Sequence, residues 1–491
     1  MRHAIRFLRR GKVIELGDIE PAEMLLDHLR LREGACGTKE GCAEGDCGAC
    51  TVALGRLVDG KLVYEPVNSC IFLTGMADGA DVVAVDDLAP DGAPLHPVQQ
   101  AMVDYHGSQC GFCTPGFVMS LFTLYHSGTR PDRKTVTDWL AGNLCRCTGY
   151  RPIVDAALAS CDGHPADSHS QNAAATAAKL AGLGDSDDLF VGDDQRCFAA
   201  PASLGSLAEL YAAHPDATLV AGATDVGLWV TKQLRDLPKI IHLGRVAGFD
   251  NIEGQPDALV IGAGATYSQA EAQLAAIDPD IAELLRRLGS KQVRASGTIG
   301  GNIANASPVG DTPPVLLALD ATIDLNRGGE IRTLPLDSFF IAYGKQDREA
   351  GEFVQSVRVP KLAANQHFRC YKVSKRFDQD ISAVLGAFRF TVENGTVTAA
   401  RLAFGGMAAT PKRALVTEAA LAGARLGDEA TWSQALAALG RDFAPISDLR
   451  ASAGYRLETS RALLLKALRE VSGVQGTRVV GIREARHEPA A

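Results

Sequence analysis

Residues 42–50 read CAEGDCGAC, and GTKEG at 37–41 leads into them. Three cysteines fall within nine positions, separated only by Ala, Gly and acidic residues. Cys42, Cys47 and Cys50 have the spacing Cys-x4-Cys-x2-Cys, and Cys70 follows at a distance. That is the ligand pattern of a plant-type [2Fe–2S] centre. Four thiolates hold two tetrahedral irons, and small residues between them let the backbone wrap closely and aim N–H groups at the cluster sulfurs. Gly41, Gly45, Gly48 and Ala49 supply that freedom. Zinc is the other four-thiolate metal, but it takes its ligands as two matched Cys-x2–4-Cys halves, which this run is not. Cys36 lies outside the spacing and reads as a bystander.

A second group, Cys110-Gly-Phe-Cys113 and Cys145-Arg-Cys147, offers four more thiols. A lone CxxC also reads as a redox dithiol. The later Cys-x-Cys makes a four-thiolate site the better account, and on spacing alone that site takes iron–sulfur or zinc. HPVQQAMVDYHG, GFVMSLFTLYHSG and TVTDWLAGNLCRCTG repeat apolar residues at helical spacing and close on Gly, so this group is expected at helix ends. Helix N-termini there favour an anionic centre.

The chain has 491 residues, a prior of about three domains. Its 46% hydrophobic content is ample for several cores. The start, MRHAIRFLRRGK, reads as a short basic arm with no apolar signal run behind it, and no stretch has the length of a membrane span. The expectation is a soluble, cytoplasmic protein, where thiols stay reduced and twelve cysteines serve metals or redox chemistry. A net charge of −9 with no other basic cluster speaks against nucleic acid. TVALGRLVDGKLVYEPV predicts a hairpin turning at Asp59-Gly60. Residues 163–190 are rich in Ala, Ser, Asp and Gly and read as a solvated linker. Beyond it, ATLVAG and ALVIGAG alternate with helical stretches as in an α/β domain. After about 365, strands around an Asn-Gly turn precede amphipathic helices, predicting a smaller α+β unit.

The strings GTKEGCAEGDCGACTV, HPVQQAMVDYHGSQCGFCTPGFVMS and GNLCRCTGYRPI resemble the iron–sulfur region of the xanthine oxidase family of molybdenum hydroxylases. The resemblance implies a multidomain α+β chain: a ferredoxin-like β-grasp [2Fe–2S] domain (1–88), an all-helical [2Fe–2S] domain (89–162), the linker (163–190), an α/β FAD-binding domain (191–365) and a small α+β C-terminal domain (366–475). It assigns one cluster to Cys42, Cys47, Cys50 and Cys70 and another to Cys110, Cys113, Cys145 and Cys147, the second facing the molybdenum cofactor. Gln109 matches a position that touches the pterin.

Two glycine loops, LVAGATDV (219–226) and GTIGGNIANASPVGD (297–311), allow close backbone approach to a pyrophosphate, and neither fits GxGxxG. A tight turn explains each equally well from the residues alone. The family resemblance extends here and implies FAD contacts at Leu219, Val220, Ala221, Gly222, Ala223, Thr224, Asp225 and Val226, and at Gly297, Thr298, Ile299, Gly300 and Gly301. Asn302 and Asp311 are expected nearby, with Val354 and Lys372 as later contacts. Ala223 departs from the Gly that bacterial relatives often carry. Tyr343 matches a nicotinamide-side contact, or else is a buried ring bonded to a local carbonyl.

The function implied is that of an electron conduit with no catalytic acid or base for the primary substrate. Hypoxanthine or xanthine is oxidised at a molybdopterin cofactor on a separate large subunit, in an assembly of the α2β2 kind. Electrons pass through two [2Fe–2S] clusters to FAD and then NAD⁺, with the flavin converting one-electron into two-electron chemistry. Rival readings are an NADH-dependent reductase feeding an unrelated partner, a molybdenum hydroxylase acting on another N-heterocycle, and a zinc-stapled binding module.

Overall fold

The computed structural model describes residues 1–90 and 92–478. The basic start is not a free arm. Ile5–Arg9 and Lys12–Leu16 pair antiparallel around Arg10 and Gly11, whose φ values of 52° and 69° suit a two-residue turn. The arginines are ion-paired: Arg2 with Asp78 at 2.8 Å, Arg9 with Glu33 at 2.8 Å and Arg10 with Asp87 at 2.7 Å. Ile5–Arg9 also runs parallel to Asp81–Val83, giving a mixed sheet in the order Lys12–Leu16, Ile5–Arg9, Asp81–Val83, Thr51–Val58, Lys61–Asn68. The last two strands turn at Asp59 and Gly60, with φ 49° and 73°, as the Asp-Gly pair predicts.

The second unit is four helices, Pro97–Asp104, Thr114–His126, Arg133–Trp139 and Arg151–Ser160. Their apolar faces bury Phe117, Leu121, Leu124, Val136 and Ile153 together. The first helix starts on a capping box in which His96 Nδ1 accepts from the Val98 amide and Gln99 returns to the His96 amide.

Residues 163–190 differ from the solvated linker that composition predicts. They form helices Ser168–Gln171 and Ala173–Leu183, and Leu180 and Leu183 are buried against Leu8 of the first sheet. Asp167 caps the first of these helices and is itself buried, with His96 Nε2 at 3.0 Å and His126 Nε2 at 3.2 Å from its Oδ2. The Ala-rich stretch hides a helix because Ala has the highest helix propensity while contributing little apolar periodicity.

The central unit holds two sheets. One has the order Leu189–Gly192, Cys197–Ala200, Lys239–His242, Thr218–Val220, with the last three parallel. The other is antiparallel, in the order Ile252–Gly254, Ala258–Gly262, Phe353–Pro360, Thr322–Arg327, Glu330–Pro335. The C-terminal unit packs Gln366–Val373, Val384–Glu393, Thr396–Gly405 and Lys412–Arg413 in sequence against helices that include Ala453–Val471. Its long hairpin turns at Asn394-Gly395, φ 50° and 74°, as expected. The chain is thus a multidomain α+β protein whose units share cores. Phe7, Val52 and Phe72 of the first sheet pack in one cluster with Phe198, Val220 and Ile240 of the central unit. A Cβ on Gly75 would lie 2.4 Å from the Phe198 ring, so that ring is seated directly on the first unit.

Candidate functional site

In the first cysteine loop, Gly45 and Gly48 have φ of 80° and 69°, and Asn68 Nδ2 donates to the Gly45 carbonyl at 2.8 Å. The Cys42 side chain adjoins those of Cys47 and Cys70, and Cys70 also adjoins Cys50. In the second group Cys113 adjoins Cys145 and Cys110 adjoins Cys147. Cys113 is the N-cap of Thr114–His126, as expected of a helix-end ligand, and Cys145 and Cys147 precede Arg151–Ser160. Tyr150 Oη accepts from the Cys145 amide at 3.0 Å, and Thr148 approaches its Sγ through its hydroxyl at 3.1 Å and amide at 3.5 Å.

The thiols cannot all ionise unaided. Cys42 is held well below the usual thiol range by the Cys47 and Cys70 thiols beside it, and these two are pushed up by the charge they satisfy. Burial and the neighbouring Cys145 raise Cys113 to about 12, and Cys110 raises Cys147. Burial opposes ionisation of Cys145, but Thr148 outweighs it and brings the group down. Four thiolates in either place therefore require cationic charge among them. A single tetrahedral zinc, with Zn–S near 2.3 Å, sets its sulfurs about 3.8 Å apart. Among the described residues no cysteine trio has its sulfurs all within 4.8 Å; the only such group of donors is His96, His126 and Asp167. In the second group the thiols stand as two adjoining pairs, and in the first as a chain running Cys47, Cys42, Cys70, Cys50; neither is the closed cluster of four that one tetrahedral ion would gather. The histidine group is not a ligand set, because His96 Nδ1 already accepts a backbone N–H and so Nε2 carries the proton given to Asp167.

The two glycine loops meet. A Cβ on Gly222 would lie 1.8 Å from the Ser296 carbonyl oxygen, so only glycine lets them touch. Their amides differ. Among the described residues, the N–H groups of Ala221, Gly222, Ala223, Thr224 and Asp225 have no hydrogen-bond acceptor. Ala223 sits at φ 58°, the left-handed region in which glycine is at ease, and a left-handed residue within a run of free amides can turn them into an anion-binding hollow. In the second loop Ile299 N, Gly300 N and Gly301 N bond to Ala265 O, Ala263 O and Thr298 Oγ1 at 3.0, 3.1 and 3.0 Å. The first loop thus offers a run of free amides, whereas in the second those of Ile299, Gly300 and Gly301 are already engaged. Asn302 Oδ1 accepts from Thr312, and Lys372 Nζ meets Asp311 Oδ2 at 2.6 Å in a buried ion pair. Val354 is buried in the apolar core. Tyr343 is 75% exposed, which overturns the buried-ring alternative.

These parts stand in series. Leu144 N donates to Cys47 O at 3.0 Å, one residue before Cys145, so a single hydrogen bond joins the backbones of the two cysteine loops. From the other side, Lys232 Nζ donates to Cys42 O and lies 3.4 Å from Glu44, and Gln379 Nε2 donates to Asp46 O at 2.9 Å. Helix Val226–Thr231, which follows the first glycine loop, rests on Ile71 beside Cys70: a Cβ on Gly227 would lie 2.7 Å from Ile71. Lys232 and Gln379 are not singled out by the sequence, and Leu144 only as part of GNLCRCTGYRPI; their contacts appear only once the chain is folded.

Residues 84–158 match the family described as a [2Fe-2S] binding domain, 194–362 the FAD binding domain in molybdopterin dehydrogenase, and 369–471 the CO dehydrogenase flavoprotein C-terminal domain. Xanthine dehydrogenase/oxidase of Mus musculus is 33% identical over 84% of this chain and 34% of its own length. Xanthine dehydrogenase of Emericella nidulans is 31% identical over 89% of this chain and 36% of its own. The chain belongs to the xanthine oxidase family. It carries that family's [2Fe-2S] and FAD-binding domains and spans about a third of the length of these relatives. Two solved structures each match over half of the chain. A carbon monoxide dehydrogenase chain from Hydrogenophaga pseudoflava is 28% identical with a TM-score of 0.52, over 55% of this chain and 95% of that one. A quinoline 2-oxidoreductase chain from Pseudomonas putida is 25% identical with a TM-score of 0.52, over 56% and 95%. Among the described residues no helix is long and apolar enough to cross a membrane.

Proposed function

We propose that this chain is the electron-transfer subunit of a cytoplasmic xanthine dehydrogenase, taking electrons from hypoxanthine or xanthine oxidised at a molybdopterin cofactor on a large partner subunit, in an α2β2 assembly. Cys110, Cys113, Cys145 and Cys147 would hold the first [2Fe–2S] cluster on the route, and Cys42, Cys47, Cys50 and Cys70 the second. The Ala221–Asp225 amides would bind the FAD pyrophosphate, with Asp311 and Lys372 nearby. The iron–sulfur centres carry single electrons, and the flavin pairs them for NAD⁺.

The observation that carries this reading is the serial contact of the three parts, from Cys145 through Leu144 to Cys47, and from Cys42 to Lys232 behind the flavin cradle. The outer end also supports it. Gln109, Cys110 and Cys147 are exposed, and Val103, Tyr105, Phe112, Leu144 and Tyr150 around them are 58%, 45%, 49%, 41% and 39% exposed. A cleft of about 440 Å³ between Leu95, Met102, His106, Gly111, Pro115 and Val118 opens beside them. Such an apolar rim fits a protein partner.

The test is anaerobic mixing of the complex with xanthine. The flavin should bleach in the native protein, and Cys110→Ser should abolish bleaching while FAD remains bound. Wild-type flavin reduction in Cys110→Ser would contradict the route. A complex that bleaches with NADH but with no purine or other N-heterocycle would favour the reverse-running reductase.

A further inference from the structure

Three units of the fold meet at one buried side chain. Gln292, 1% exposed, belongs to helix Lys291–Ser296 of the central unit. Its Nε2 lies 3.1 Å from Thr51 Oγ1, 3.2 Å from Ser120 Oγ and 3.1 Å from Asn143 Oδ1. Thr51 follows the first cysteine loop and donates its hydroxyl to Gly48 O at 2.7 Å. Asn143, two residues before Cys145, donates to the same Gly48 carbonyl at 3.2 Å and accepts from Ser120 at 2.7 Å. The Gln292 amide thus serves acceptors from both cysteine-bearing units at once.

Backbone is packed tightly around this point. A Cβ on Gly48 would lie 2.2 Å from Gly142 O, one on Gly116 2.0 Å from Gly48 O, and one on Gly142 2.2 Å from Gln292 Oε1. The Leu144–Cys47 bond that joins the loops lies next to these contacts in the chain. A staple needed only for cohesion would be apolar. Here a polar amide is buried with Gln292 Oε1 left without a hydrogen-bond partner, an arrangement that sacrifices stability and gains direction.

Building on the reading of the eight cysteines as two cluster sites, we propose that Gln292 is a positioning residue that sets the separation and orientation of the two cysteine loops. The flavin-bearing unit would thereby govern the electron transfer between the two centres, which leaves the first oxidised and the second reduced by one electron.

The test uses the full chain with its cofactors, as wild type, Gln292→Met and Ser120→Ala. Metal and flavin contents are read first, then the magnetic splitting between the reduced centres at low temperature, then amide exchange of the peptide containing Leu144. Gln292→Met should retain iron and flavin, lose or markedly alter the splitting, and exchange Leu144 about tenfold faster, with peptides from 384–404 unchanged. Ser120→Ala, which removes one of three acceptors, should do the same to a smaller degree. Wild-type splitting and exchange in an iron-replete Gln292→Met protein would overturn the proposal. If that variant does not fold, wild-type behaviour of Ser120→Ala overturns it. A wild-type chain without iron would overturn the cluster reading and this proposal together, and the initial metal analysis tells that case apart.

Discussion

The two cysteine groups offer the same four thiols in opposite surroundings. Cys50 and Cys70 are 1% and 3% exposed, enclosed by the first sheet and the central unit, whereas Cys110 and Cys147 lie open on an apolar rim. The deeper placing of the first group, with Cys42 and Cys47 half-buried beside Cys50 and Cys70, suits a relay that exchanges electrons with neighbours inside the chain. Exposure suits the end that receives them from another protein. Equal thiol chemistry with unequal burial also means that damage to the two groups should spread differently.

Replacing one ligand in each group tests this with the largest effect. Cys70→Ser and Cys147→Ser should each lose about half the iron, yet only Cys70→Ser should also lower folding stability, by about 3 kcal/mol. Cys147→Ser should leave the thermal midpoint in place. Equal melting of the two variants would break the contrast.

The units around the two groups should also answer pH in opposite senses. Burial lowers His28, but Glu23 and Glu33, at 3.7 and 3.4 Å, outweigh it and lift the group to about 9. Its contribution, up to about 3 kcal/mol, is complete below pH 6.5 and fades as pH rises through 9. His96 is lowered by burial, which its partner Asp167 only partly offsets against the repulsion of His126 and His169. Its neutral form is favoured by the fold, so the helical unit loses stability as pH falls below 6.5. Melts of His28→Gln should converge on wild type near pH 9.5 and diverge at pH 6; parallel curves would contradict the pairing.

Glycine substitutions give a smaller contrast. Gly48→Ala meets Gly142 O at 2.2 Å and φ of 69°, and should cost about 2 kcal/mol or more. Gly111→Ala, at φ 83° with nothing within 4 Å, should cost only about 1 kcal/mol. Smallest of all, Lys232→Met removes a half-exposed contact to Cys42 O and Glu44 and should change stability by less than about 1 kcal/mol, measured by denaturant unfolding.

Much of this was legible in the sequence because local rules govern it. The Asp59-Gly60 and Asn394-Gly395 turns, the helix-end position of Cys113 and the grouping of the cysteines follow from turn chemistry, capping and spacing. The opening hairpin was not, because the arginines of MRHAIRFLRRGK dominate its reading while their acidic partners lie as far away as Asp78 and Asp87. The helix at Ala173–Leu183 lacks the apolar periodicity that would mark it, and its docking depends on two leucines. Equally hidden was the inequality of the glycine loops. Both read alike in the sequence, and only the partners of their amides, set by Ala263 and Ala265 far back in the chain, show that one loop keeps its amides free while the other engages them.

The most direct measurement is the metal, sulfide and flavin content of anaerobically purified chain, read beside its low-temperature magnetic spectrum after reduction. About four irons with one flavin should be present, with two distinct cluster signals, one of which vanishes in Cys147→Ser. A colourless protein filled with zinc, or one cluster signal unaffected by that substitution, would contradict the account.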